Sequence, residues 1–355
     1  MAPGHMIPLV DIARQFGRHG VKAPIITTLL NASKFSKTIQ RDREMGSDIS
    51  IHTVKFPCKE AGLPEGCENI ASTTSRLMYL NFTKDHPDCL TAAPQFSWAV
   101  ELAAKLGIPR LAFNGTGFFP FCALHGLMEH KPHLKVESEM EEFVIPGLPD
   151  KIKMSRQKLS EHLKDEKETP MTALVKDMMR MEPNCVNHFR EVVGRKVWHV
   201  GPVSLCNKDN EDKLQRGQDS SFCEQKCLNW LNTKEPRSVI YICFSKWQCF
   251  HQSNWHRYQL SNFFNEKLLV EILKVGVPVG ADAWSNRTDS TVPLNRKDIE
   301  RAVTKLVVGQ EAEGMRGRAA ALGKLAKGAV EKGGSSYSSL ISLLEQLRNR
   351  KISSS

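Results

Sequence analysis

Residues 88–113 read Asp88-Cys89-Leu90-Thr91-Ala92-Ala93, then Trp98-Ala99-Val100-Glu101-Leu102-Ala103-Ala104-Lys105-Leu106, then Ile108-Pro109-Arg110-Leu111-Ala112-Phe113. The outer pieces are short apolar runs of strand length, and the middle piece is long enough for two turns of helix. A strand, a helix and a second strand in so few residues predict a parallel pair, because parallel strands need a crossover that is usually helical.

Working outward, the same alternation recurs. Val21 to Thr28 reads as a buried strand, apart from Pro24, which has no N–H to give a ladder. Ile49 to Phe56 reads as its successor. Ahead of them, Leu9, Ile12, Ala13 and Phe16 repeat at helical spacing, with Asp11, Arg14, Gln15 and Arg18 expected on the opposite, polar face. Pro8 suits a first-turn position and Gly20 a C-terminal cap. Strands alternating with helices make this an α/β chain with a parallel sheet covered on both faces.

Downstream, Ile145-Pro146-Gly147-Leu148-Pro149 interrupts the pattern. After Trp198-His199-Val200-Gly201-Pro202 the text turns polar from Asn207 to Ser221, the expected linker. Cys227 to Leu231 reads as helix, Ser238 to Phe244 as strand, and Val275 to Gly280 as a short strand. Three helices close the chain. Asn295 is the expected cap of one carrying Ile299, Ala302, Val303, Leu306 and Val307. A second uses Met315, Ala319, Leu322, Ala326 and Ala329, and a third Leu340, Leu343, Leu344 and Leu347. The expected division is a first domain over 1–204, a linker over 205–222 and a second domain over 223–355. With two readable strands against the roughly six of a doubly wound domain, the second is short of sheet.

Composition narrows the function. Of 355 residues, 41% are hydrophobic and 25% charged, an ordinary globular balance. The net charge is +10. The charges nevertheless alternate in sign, as in Lys164-Asp165-Glu166-Lys167-Glu168, and no basic stripe interleaves with aromatics. This reads as a solvated surface and not a nucleic-acid footprint. No apolar run reaches the ~18 residues of a membrane span, and Asp11 and Arg14 break any leader-like core. The 10 cysteines are scattered, as reduced thiols of a cytoplasmic protein are. A monomer is expected.

Several phrases together resemble the plant family 1 UDP-glycosyltransferases. They are Met1-Ala2-Pro3-Gly4-His5-Met6-Ile7-Pro8, Phe143-Val144-Ile145-Pro146-Gly147-Leu148-Pro149, Trp198 to Pro202, Cys227-Leu228-Asn229-Trp230-Leu231 through Phe244, and Phe263-Phe264-Asn265-Glu266-Lys267-Leu268. Members acting on triterpenoids such as soyasapogenol conjugates look nearest. The resemblance spans nearly the whole chain, excepting about Ser245 to Asn262. It implies a GT-B fold of two Rossmann-like domains, the second incomplete here. It also implies a small lipophilic acceptor in the first domain, a UDP-sugar co-substrate in the second, and no cofactor or metal.

The resemblance further implies that His5 is the base that deprotonates an acceptor hydroxyl, which then displaces UDP with inversion. Imidazole titrates in the range that work needs. Phe118 and Phe119 are the candidate acceptor-binding residues, with a buried core turn as the other reading. Ser245, where the family has Gly-Ser after a strand, is the candidate donor contact.

The sequence departs from the family in four places. The chain opens inside the turn, without the strand the family sets before its histidine. Ala93 stands where the family's orienting aspartate belongs, with Asp88 five residues upstream. Asn81-Phe82-Thr83-Lys84 runs into Asp85-His86-Pro87-Asp88 where members carry a helix. Finally, the donor box is missing: no uracil-stacking tryptophan phrase, no His-Cys-Gly-Trp-Asn-Ser phrase and no acid–glutamine pair, with Ser261 and Asn262 at the pair's place.

The text from Ser245 to Tyr258 carries no element pattern. Read one frame over, codons for Lys246 to Gln252 can spell Met-Ala-Val-Phe-Ser-Ser, which looks like family text. A frameshift rejoined near Phe263 is therefore expected. Cys243, Cys249, His251 and His256 fit no zinc spacing. The expected outcome is a glycosyltransferase by descent with little or no turnover; the alternative is a non-catalytic remnant that at most binds acceptor.

Overall fold

The computed structural model describes residues 3–55, 87–93, 96, 98–113, 115, 117–159, 197–208, 212, 229–235, 264–279 and 296–353. The chain divides into two compact units, Met1–Thr73 with Asn207–His251, and Thr74–Cys206 with Gln252–Ser355.

The first unit opens with helix α1 (Pro3–Arg18). The helix begins five residues before Pro8, so Pro8 lies inside it and not at the expected first-turn position. Gly20 ends it as expected: at φ +73° it takes the left-handed conformation that favours glycine. The Val21 N–H donates to the Phe16 carbonyl (3.1 Å) and the Gly20 N–H to Gly17 (3.1 Å), the paired bonds of a Schellman cap.

Strand β1 (Ala23–Thr28) follows, then the short turn of helix α2 (Leu29–Ala32), helix α3 (Ser36–Glu44) and strand β2 (Ile49–Val54). β1 and β2 pair in parallel, with Ala23 opposite Ile49 and Thr28 opposite Val54. Ile12, Phe16, Ile39 and Ile49 bury the faces of α1, α3 and the sheet. Helix α3 carries little apolar text and was not legible. It inserts only Thr38, Ile39 and Asp42, one helical face.

The second unit contains the strand–helix–strand motif read from 88–113. Strand β3 (Leu90–Ala92), helix α4 (Trp98–Lys105) and strand β4 (Arg110–Ala112) form a parallel pair. Helix α5 (Phe118–His130) comes next, followed by the antiparallel hairpin of β5 (Glu142–Val144) and β6 (Lys153–Ser155). Phe143 and Met154, opposite one another, both face inward. The Ile145–Pro149 phrase is the hairpin's turn, with Gly147 at φ +77°. The fit of α5 over this turn is close: a Cβ on Gly126 would lie 2.1 Å from the Pro146 carbonyl oxygen.

Phe264 is completely buried in the core that α5 shares with the hairpin, Leu159 and Val197, and Leu268 and Ile272 of the single π turn Leu268–Ile272 pack on it. No strand forms at 275–279. The Val275 N–H turns back onto the Leu269 carbonyl (2.8 Å), and Lys274 adopts a left-handed φ of +52°. An extended segment without a ladder neighbour has nowhere else to send its N–H groups.

The three closing helices are present as α6 (Arg296–Val307), α7 (Ala312–Val330) and α8 (Ser335–Ser353). They pack in sequence, α6 on α7 and α7 on α8. Leu340, Leu343, Leu344 and Met315 are buried as expected, whereas Ala319 and Val307 are exposed. The cap at Asn295, the strand Ser238–Phe244, Ser245, the segment to Tyr258 and the cysteine–histidine group at 243–256 lie outside the described residues.

Candidate functional site

The backbone of His5 lies in the first turn of α1, not in a loop. Pro8 lacks the N–H that would bond back to the carbonyl of Gly4, so this turn is held less tightly than the helix beyond it.

Ala93, at the place of the orienting aspartate, follows β3 directly and is buried at 4% exposure. Its carbonyl accepts bonds from the Phe96 N–H (3.1 Å) and from the Arg110 guanidinium (3.5 Å). Asp88 sits two residues ahead of β3 and is exposed. The buried end of β3 is thus a methyl group, and the nearby acid faces water.

Phe118 and Phe119 occupy the first turn of α5, 2% and 1% exposed, in the core with Leu127, Ile145 and Met154. Of the two readings kept for them, the described environment is that of packed core. His5 belongs to the first unit and the two phenylalanines to the second. A shallow groove of about 510 Å³ runs along α6, lined by Lys297, Glu300, Arg301, Thr304, Lys305, Val308 and Gly309, none of them in a family phrase. Among the described residues, no three His, Cys, Asp or Glu side chains are grouped to hold a metal ion. No helix among the described residues is long and apolar enough to cross a membrane.

The titratable groups that depart from their usual ranges do not gather at these positions. The Cys89 thiol is pushed up to about 11, mainly by burial and further by the Asp88 charge, which leaves it a poor nucleophile. Burial raises Glu266, with Lys158 and Lys267 opposing.

Sequence reasoning missed the most organised polar cluster. Asp11 and Arg14, expected on the solvated face of α1, are 2% and 1% exposed. The Arg14 guanidinium donates to both oxygens of Asp42, one at 3.2 Å, to Asn207 Oδ1, and to Asp212 Oδ2 at 2.7 Å. Arg18 reaches Asp42 at 2.9 Å and Arg41 reaches Asp212 at 2.7 Å. Burial by itself would raise the Asp42 carboxyl; the bonds and charges of Arg14 and Arg18 outweigh it and hold the group below its ordinary range. The i, i+3 spacing of Asp11 and Arg14 is equally that of a solvated pair. Only the distant partners distinguish the two.

A parallel strand pair linked through helix occurs in each of the two units, and the solved structures that superpose on the chain place it in the GT-B class. The crystal structure of Glycyrrhiza uralensis UGT73P12, complexed with glycyrrhetinic acid 3-O-monoglucuronide, superposes with a TM-score of 0.87 at 27% identity, covering 100% of this chain and 95% of that one. TcCGT1 in complex with UDP shares the fold at a TM-score of 0.66 and 15% identity, over 98% and 97% of the two chains.

In sequence, the chain is 33% identical over 459 aligned positions to the scopoletin glucosyltransferase of Nicotiana tabacum, covering 98% of this chain and 96% of that protein. It is 30% identical to the soyasapogenol B glucuronide galactosyltransferase of Glycine max, over 99% and 95%. No protein-family model matches. The chain belongs to the plant UDP-glycosyltransferases. Its 355 residues cannot fill 459 aligned positions, so about a hundred of those positions face gaps in this chain.

Proposed function

We propose that this chain descends from an inverting enzyme that moved a sugar from a UDP-sugar to a hydroxyl of a small lipophilic plant metabolite, a triterpenoid or flavonoid, and that it now has little or no turnover. The ancestral chemistry uses His5 as the base, with Phe118 and Phe119 near the acceptor and Ser245 near the donor diphosphate. The relatives' acceptors, scopoletin and soyasapogenol B glucuronide among them by name, support that substrate class.

The observation that carries the loss of turnover is the missing donor box between Phe244 and Phe263. Without donors aimed at the diphosphate, the leaving group's developing charge has no stabilisation, usually the largest contribution to such catalysis. A methyl group at Ala93 compounds this: a histidine base without an orienting carboxylate loses about 10⁴ in kcat in a comparable triad. The gapped alignment supports lost text over substituted text. The same reading takes the protein as a cytoplasmic monomer.

The test is incubation of the purified chain with UDP-glucose, UDP-galactose or UDP-glucuronate and a panel of triterpenoid and flavonoid acceptors. No glycoside above the enzyme-free control is expected; clear product formation refutes the reading.

A further inference from the structure

The text after Cys206 looks like a polar tether, yet Asn207 and Asp212 are buried among the charges of α1 and α3. Asn207 meets α1 twice. Its Oδ1 accepts from Arg14 and its amide donates to Asp11 Oδ1 at 3.1 Å. Asp212 joins both helices, one oxygen accepting from Arg14 of α1 and the other from Arg41 of α3. Asp42 of α3 completes the circuit through Arg14 and Arg18.

We propose that residues Asn207 and Asp212 form a strap that locks α1 to α3, with Arg14 as the shared post, so that the first unit is completed only by chain beyond Cys206. The guanidiniums of Arg14, Arg18 and Arg41 face the carboxylates of Asp42 and Asp212, while Asp11 accepts from the Asn207 amide. With the strap in place, Asp212 adds a second carboxylate to Arg14 beside Asp42, and Asn207 donates to Asp11. A loosened strap leaves Arg14 buried against Asp42 and deprives Asp11 of its Asn207 donor. Buried charges tolerate partial satisfaction poorly, which couples the members of the circuit to one another. Partners 193 and 198 residues distant from Arg14 thus decide the order of the chain's first helix, which carries His5. This inference is independent of whether the chain turns over substrate.

The test is hydrogen exchange with mass spectrometry on the full-length chain, comparing wild type with Asp212→Asn and with Arg41→Gln. The second is the milder change, since the Arg41 side chain is 26% exposed, whereas that of Asp212 is buried. For Asp212→Asn, amides of α1 and α3 are expected to exchange at least tenfold faster, with α7 and α8 at wild-type rates. Arg41→Gln is expected to move the same amides by about threefold. Should Asp212→Asn not yield soluble protein, the Arg41→Gln pattern decides alone. Faster exchange confined to residues 207–212, or a rise shared equally by α7 and α8, overturns the strap.

Discussion

Replacing Arg14 by methionine keeps an unbranched, largely apolar stem and removes the guanidinium that serves Asp42, Asn207 and Asp212. The site is 1% exposed, so water cannot take over those bonds. Asp42, fully buried, is left with Arg18 alone, and Asp212 with Arg41. Removing one partner of a buried ion pair destabilises by about 3–5 kcal/mol, because the penalty is that of the charge left behind. Against a net stability of about 5–15 kcal/mol, that is a large share.

The assay is urea unfolding followed by far-ultraviolet circular dichroism. With a slope of about 1–3 kcal/mol per molar urea, the midpoint should fall by roughly 2 M. The double variant Arg14→Met/Asp42→Leu should recover at least half of the loss, since it removes the abandoned charge as well. A shift below about 1 kcal/mol for the single variant, or a double variant no better than the single, refutes the view that this cluster is closed and mutually dependent.

Two further outcomes follow from named contacts. The Asp42 carboxyl titrates lower folded than unfolded, so its contribution is present above the unfolded value of 3.8 and is lost as pH falls through the folded one. Acid unfolding of wild type should therefore be steeper below pH 4 than that of Asp42→Asn, measured by the same dichroism signal across pH 7 to 2. Gly126→Ala would press a methyl group onto the Pro146 carbonyl, 2.1 Å from the ideal Cβ position, and should destabilise by about 1–3 kcal/mol, seen as a lowered Tm.

The elements legible in the sequence were those whose apolar spacing has one interpretation. The 88–113 run became β3, α4 and β4 within two residues at each end, and Val21–Thr28 became β1 even with Pro24 inside it. Helix α3 escaped because its buried face is one isoleucine, a threonine and an ion-paired aspartate. Helix α5 escaped for the opposite reason, being apolar on nearly every side near its start, where no face stands out. Strands of three residues, as in β5 and β6, are too short for alternation to register.

The site divides along the same line. His5, Ala93 and the missing donor phrases can be read directly, because local text carries them. Arg14, Asn207 and Asp212 could not, because their meaning depends on contacts across more than half the chain. Val275–Val279 shows the converse error, β-branched text without a neighbour to pair with.

Isothermal titration of the purified chain with UDP reaches the central claim without requiring turnover, an acceptor or a choice of sugar. The proposed loss of donor binding predicts heats of dilution only, with no saturation, because the sequence lacks the family's donor phrases. Saturable, one-to-one UDP binding would contradict it, and would return the chain to the working members of its family.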